Sequence, residues 1–275
     1  MRITFWAVAL AGTLCSSVPV ARADVWDLGT DNDNDTGSDN EMVNGLDQVH
    51  DMAAQQGGTV EDVDWYPFRV ACNASYEILL DGITGDLGNA NTGSPALDLL
   101  ASDGTTVLAS SSPVTGLGIA RRITYMCTGA DSEQVGYVRV SQPDCGLSCT
   151  STDQYHIHFR DTTALVPRFN NSATQVSILI LQSSTKGNEA ASLVAYDATG
   201  AVIAIFSIFT VLPNPNQVTV INLSTVAGGL LAGKSGGLKI VNNAPYDGLA
   251  GKVVAVEPAT GFTFDTPLVY KAPEE

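Results

Sequence analysis

The sequence predicts an all-β protein: two consecutive antiparallel β-sandwiches, jelly-roll-like, behind a signal peptide. Three observations predict it. Apolar residues recur at every second position in many short runs, as in Tyr76-Glu77-Ile78-Leu79-Leu80 and Tyr155-His156-Ile157-His158-Phe159, the period of a half-buried strand. Turn formers such as Asp103-Gly104, Ala198-Thr199-Gly200 and Thr260-Gly261 separate these runs at intervals of about eight to twelve residues. No long stretch has helical periodicity, and the gaps leave no room for the crossovers of about a dozen residues that parallel strands need.

The chain begins with Arg2, an apolar run over residues 3–14, and Ala21-Arg22-Ala23. This is the pattern of a secretory signal cleaved before Asp24, and the run is too short for a permanent anchor. Bulky Leu14 before Cys15 argues against a lipoprotein site. Residues 1–23 are therefore read as a signal peptide, and 24–58 as an acidic segment belonging to or leading into the first domain. Residues 59–163 form the first sandwich and 164–275 the second. Strands are expected over 64–72, 75–81, 96–101, 105–110, 119–127, 134–141 and 154–161 in the first. In the second they are expected over 175–182, 191–197, 201–212, 217–223, 237–242, 249–257 and 262–270. Residues 43–54 are the one weak helical or loop candidate.

The run over 201–212 breaks the alternation. Ile203, Ile205, Phe209 and Val211 share one face, and Val202, Phe206, Ile208 and Leu212 the other. A strand apolar on both faces is expected to be covered on both sides, centrally or by the first sandwich.

Four cysteines remain after the signal, and an even number in an exported chain favours two disulfides with three possible pairings. Cys72 shares a strand phase with Tyr66, Phe68 and Val70, and Cys127 with Ile123 and Tyr125. Phase therefore favours Cys72–Cys127, with Cys145–Cys149 as a local loop staple.

Acidity is confined to the first half. Residues 24–165 carry 22 acidic and 5 basic side chains, and residues 166–275 carry 7 and 6. This balance disfavours nucleic acid and anionic membranes as partners, and no later stretch is long and apolar enough for a membrane helix. It leaves solubility and divalent-cation binding. The densest cluster, Asp31-Asn32-Asp33-Asn34-Asp35-Thr36-Gly37-Ser38-Asp39-Asn40-Glu41, resembles calcium loops, in which oxygen donors on a flexible segment hold the ion. Asp31, Asp33, Asp35, Asp39 and Glu41 are the candidate ligands. Gly37 stands one place late for an EF-hand loop, and no acid occupies the twelfth position; the alternative is a solvated linker.

Other motifs weigh less. Gly228 to Ser235 fits the spacing of a phosphate-binding loop, but a strand-like Leu238-Lys239-Ile240-Val241 follows where that chemistry needs a helix. His156 and His158 lie on one strand face and offer a start for a zinc site, yet Arg160 continues that face and opposes a cation. They read as exposed polar residues. No nucleophile elbow or paired-histidine protease motif is present.

Asp62-Val63-Asp64-Trp65-Tyr66-x-Phe68, Tyr76-Glu77-Ile78-Leu79-Leu80, Leu97-x-Leu99, Asp103-Gly104-Thr105-Thr106-Val107-Leu108-Ala109, Tyr137-Val138-Arg139-Val140-Ser141 and Tyr155-x-Ile157 occur in that order. Over residues 26–163 this resembles a bacterial pre-peptidase C-terminal domain. The resemblance implies a β-sandwich related to collagen-binding domains, accompanying secreted enzymes, with calcium at an acidic N-terminal segment. This chain departs from it in having no attached protease and in the Cys145–Cys149 insertion. The second half resembles β-sandwich modules of exported bacterial proteins.

The expectation is a secreted non-catalytic module that binds an extracellular polymer or protein or acts as a cell-surface or structural component, with no required cofactor and calcium as the candidate stabilising ion. Trp65, in the outward phase of its strand, is the candidate ligand contact. The alternative is an extracellular hydrolase using carboxylates between the two domains.

Overall fold

A computed structural model describes residues 33–54, 60–88, 95–114, 117–130, 132–142, 145–185, 189–209 and 216–272. The expected signal peptide, its cleavage site and Asp31 lie outside the described residues. The first half contributes β1 (Asp47–Asp51), β2 (Val63–Ala71), β3 (Ala74–Asp81), β4 (Ala96–Leu100), β5 (Val107–Ser110), β6 (Ser112–Pro113), β7 (Arg121–Cys127), β8 (Glu133–Ser141) and β9 (Gln154–Asp161). The second contributes β10 (Ala164–Asn170), β11 (Val176–Ser183), β12 (Ala191–Tyr196), β13 (Val202–Phe209), β14 (Val218–Asn222), β15 (Ser235–Asn242), β16 (Leu249–Glu257), β17 (Phe262–Pro267) and β18 (Val269–Tyr270). Only short 3-10 turns interrupt them; no α-helix occurs among the described residues.

Two sheets, ordered β1-β9-β3-β7-β6 and β2-β8-β4-β5, come from the first half. Two more, β13-β12-β15-β10-β18 and β14-β11-β16-β17, come from the second. Adjacent strands run antiparallel throughout, as in the pairing of Ile78 with Ile123 and Phe159. Sequence neighbours often sit in opposite sheets, so the chain crosses between layers and closes each pair of sheets over a core.

Alternation builds those cores. Tyr66, Phe68 and Val70 of β2 face Tyr76, Ile78 and Leu80 of β3, with Ile123, Val138, Val140, Tyr155, Ile157 and Phe159 completing the first core. Phe169, Leu179, Leu181, Leu193, Leu238, Ile240 and Val253 lead the second. Each such side chain, fully buried, contributes about 1.5–3 kcal/mol. Ring contacts add direction: Phe159 packs at 5.3 Å on Phe68 and stacks at 5.6 Å on Tyr76.

Three local expectations are corrected and one is met. Residues 47–51 form the edge strand β1 rather than a helix or loop. Its inward positions are Gln48 and His50 while Val49 is 50% exposed, so polarity there inverts the usual strand pattern. β10 forms where no strand was expected, because Pro167-Arg168 interrupts its alternation; the register shifts between Val166 and Phe169, the bulge that a strand proline requires. The phosphate-loop spacing is, as its following strand implied, a connection into β15, with Leu231 buried beneath it and its carbonyl held by Asn171 Nδ2 at 3.1 Å. Finally, β13 pairs only with β12 and is a sheet edge, with Val202 and Ile205 exposed. It is neither central nor covered by the first sandwich.

The contact between sandwiches is polar instead. Only Thr162 and Thr163 separate β9 from β10, and both are buried. The face of β3 opposite the core meets the second sandwich. Ser75 N donates to Thr163 Oγ1 at 2.9 Å, and Asn242 N donates to Ser75 Oγ at 3.2 Å. Asn242 Nδ2 donates to the Thr162 carbonyl at 2.9 Å. Glu77 accepts from Tyr246 N at 3.2 Å and pairs with Arg122 Nε at 3.1 Å. Burial raises the Glu77 carboxyl above its ordinary range, against the pull of Arg122.

Candidate functional site

A concavity follows this seam. It holds about 630 Å3 and is walled by Met42, Ala71, Ala74, Tyr76 and Phe159 of the first sandwich and Leu165 of the second. Charged groups frame it: Arg69, Lys239 and Lys271 against Glu41, Glu133 and Asp161. Arg69 holds two of the acids, at 3.3 Å from Glu41 and 3.1 Å from Glu133. Asp161 accepts the Thr163 amide at 2.9 Å. The Tyr76 hydroxyl donates to the Ala71 carbonyl and accepts the Ala71 amide; burial pushes it up to about 12, so it stays neutral. The cleft combines an aromatic wall with fixed charges of both signs.

A second cluster lies inside the first sandwich. Asp33, His50 and Asp64 offer donor atoms within 4.8 Å of one another and are at most 1% exposed. They come from the segment before β1, from β1 and from β2. Trp65 N donates to the Asp33 carbonyl at 2.6 Å, which pins the acidic segment across β2. Asp33 lies 3.5 Å from His50 Nδ1, and neither of its carboxylate oxygens has a hydrogen-bond partner among the described residues. His50 Nε2 lies 3.0 Å from Gln48 Oε1. Tyr155 donates to Asp64, and the Tyr155 and Tyr66 hydroxyls lie 2.5 Å apart.

Of the described acids expected to hold calcium, Asp33 alone enters this cluster. Asp35 accepts the Gly37 amide in a tight turn at 2.7 Å, and Glu41 pairs with Arg69. Asp39 is exposed. His50, Asp64 and Tyr155 were not singled out, because they meet only when β1 pairs with β9 and the opposite sheet brings β2 over them.

A third cluster, Asp81, His156 and His158, lies at the surface with donor atoms within 4.8 Å. His158 stands between Asp81 at 3.0 Å and Asp47 at 2.8 Å. Burial opposes its charge, but these carboxylates outweigh that and raise its pKa. Trp65 is half-buried. Tyr137 packs edge-on at 6.2 Å, and the Arg139 guanidinium lies 5.6 Å over its ring. The cysteines pair as Cys72–Cys127 and Cys145–Cys149, with Cα separations of 4.6 and 5.3 Å.

No family model matches the chain, and no curated protein matches it. Among solved structures it is similar to the full extracellular region of zebrafish Gpr126/Adgrg6, at 8% identity and TM-score 0.24, covering 85% of this chain and 33% of that one. It is also similar to a β-glucuronidase from glycoside hydrolase family 2, at 14% identity and TM-score 0.19, covering 79% and 25%. A family 2 glycosyl hydrolase from Bacteroides cellulosilyticus matches at 13% identity and TM-score 0.20, covering 75% and 26%. The chain spans a third or less of each of these proteins. Likeness this slight transfers neither activity nor ligand. No helix among the described residues is long and apolar enough to cross a membrane.

Proposed function

We propose that this chain is an exported, non-catalytic module that binds a segment of an extracellular polymer or protein in the cleft between its sandwiches. The cleft is the observation that carries this reading. Its volume of about 630 Å3 falls in the range of ligand sites, and it joins an aromatic wall to charges of both signs. Export is supported by the signal-like start and by two disulfides, which persist in oxidising compartments. The resemblance of residues 26–163 to pre-peptidase C-terminal domains fits the same role. The three acids at the cleft favour the alternative, a hydrolase, but two are paired with Arg69 and the third caps a backbone amide. The test is retention of the purified protein on immobilised extracellular polysaccharides and secreted proteins. Ala71→Trp, which fills the cleft, should abolish retention. Retention unchanged in that variant, or cleavage of the retained polymer that stops with Asp161→Asn, sinks the reading.

Calcium belongs to the same proposal. A fully buried carboxylate whose one neighbouring donor, His50 Nδ1, lies at 3.5 Å is disfavoured, and a cation shared by Asp33 and Asp64 would supply compensating charge. Those two carboxylates would hold it, its role being to fasten the acidic segment onto β2. Calcium titration followed by calorimetry should give heat that Asp33→Asn removes; no heat at millimolar calcium ends the idea.

A further inference from the structure

We propose that Asp81, His156 and His158 form a second metal site, for a divalent transition metal of the zinc class, on the outer face of the sheet containing β1, β9 and β3. Strand register assembles it. His156 and His158 alternate along β9, so both rings leave the same face; their centroids are 6.3 Å apart. Cross-strand pairing sets Asp81 of β3 opposite His156 and Asp47 of β1 opposite His158. Two imidazoles and one carboxylate are a donor set that zinc accepts with a fourth position open.

The surroundings favour a ligating His158. Asp47 Oδ1 lies 2.8 Å from His158 Nδ1, while His158 Nε2 lies 3.0 Å from Asp81 Oδ1. With Nδ1–H donated to Asp47, the Nε2 lone pair is turned toward Asp81. A carboxylate behind the histidine in this way fixes its tautomer and raises its basicity as a ligand. Arg160, expected from the sequence to repel a cation, is bound to Asp47 at 2.7 Å. Its charge therefore orients the supporting carboxylate. Gly82 completes the arrangement: its φ is +59°, and a Cβ there would lie 2.9 Å from two His156 ring carbons, so glycine makes room for that ring. Asp81 also borders an open depression of about 570 Å3 with Ile83, Thr84, Leu117 and Ala120, where a fourth donor from solvent or a bound partner has access.

A simpler role would be a protonated His158 clamped between Asp47 and Asp81. That clamp has no use for His156, and this separates the two. Zinc titration of the metal-free protein should show a single site, and cobalt should give the visible bands of a tetrahedral complex. His156→Ala, at an exposed ring, should weaken zinc at least about tenfold without lowering the melting temperature of the metal-free protein. Asp47→Asn should weaken it about 10–100-fold, the usual effect of removing a supporting carboxylate. Zinc binding that is absent, that survives His156→Ala, or that is lost only with His50→Gln at the buried cluster would overturn the proposal.

Discussion

Tyr155 donates its phenolic hydrogen to Asp64 inside the first sandwich, tying β9 of one sheet to β2 of the other beside the buried Asp33–His50 pair. Burial, reinforced by the Asp64 charge, raises the Tyr155 pKa well above its ordinary value, so the hydroxyl remains a donor at every pH where the protein is folded. Tyr155→Phe removes that donor and leaves a buried carboxylate less satisfied. We expect a loss of about 1–3 kcal/mol, read as a lower urea midpoint with an unchanged slope.

The sandwiches should separate in stability when their polar contact is cut. The Asn242 side chain donates to the Thr162 carbonyl and accepts the Ala244 amide at 3.0 Å. Asn242→Ala should cost about 1–3 kcal/mol and turn a single calorimetric transition into two. One unbroken transition at the wild-type temperature would show that the seam is not held there.

Acid should loosen the turn between β4 and β5. Hydrogen bonds from the Thr106 hydroxyl, the Thr106 amide and the Thr105 amide lower Asp103 from 3.8 to about 2. A depressed carboxyl contributes stability above its unfolded pKa and loses it as pH falls through the folded value. The contribution therefore disappears between about pH 4 and pH 2. Asp103→Asn should flatten that part of the stability–pH curve; an identical acid limb in the variant would refute the assignment.

Reduction should act unequally on the two disulfides. Cys72 and Cys127 are 55 residues apart and Cys145 and Cys149 only 4. Loop-closure entropy then gives about 4 kcal/mol for the first and about 2 kcal/mol for the second. Thermal melts of the Cys72→Ala/Cys127→Ala and Cys145→Ala/Cys149→Ala pairs should show the larger drop in the first.

The fold was legible wherever inside and outside alternate as apolar and polar. β9 and β16 fall on their expected boundaries, and β2, β3 and β8 within a residue. Legibility failed where side chains break that code. β1 turns Gln48 and His50 inward because they serve a buried polar cluster rather than the core. β13 is apolar on both faces yet lies at an edge, since its composition does not determine what covers it. Ser75 and Glu77 read as solvent-facing, but the second sandwich covers them. The candidate sites were legible only in fragments. His156 and His158 share a face by local spacing alone, whereas Asp47 and Asp81 join them through register with two other strands.

The two-residue junction between β9 and β10 has a last consequence. With Thr162 and Thr163 both interior, the backbone has no slack at the point where a hinge would have to act. The walls of the cleft are thus joined by a short covalent path. On the proposed binding role, association there would give up little conformational freedom on the protein side, and a lengthened junction would weaken capture through entropy alone, with every contacting side chain left in place.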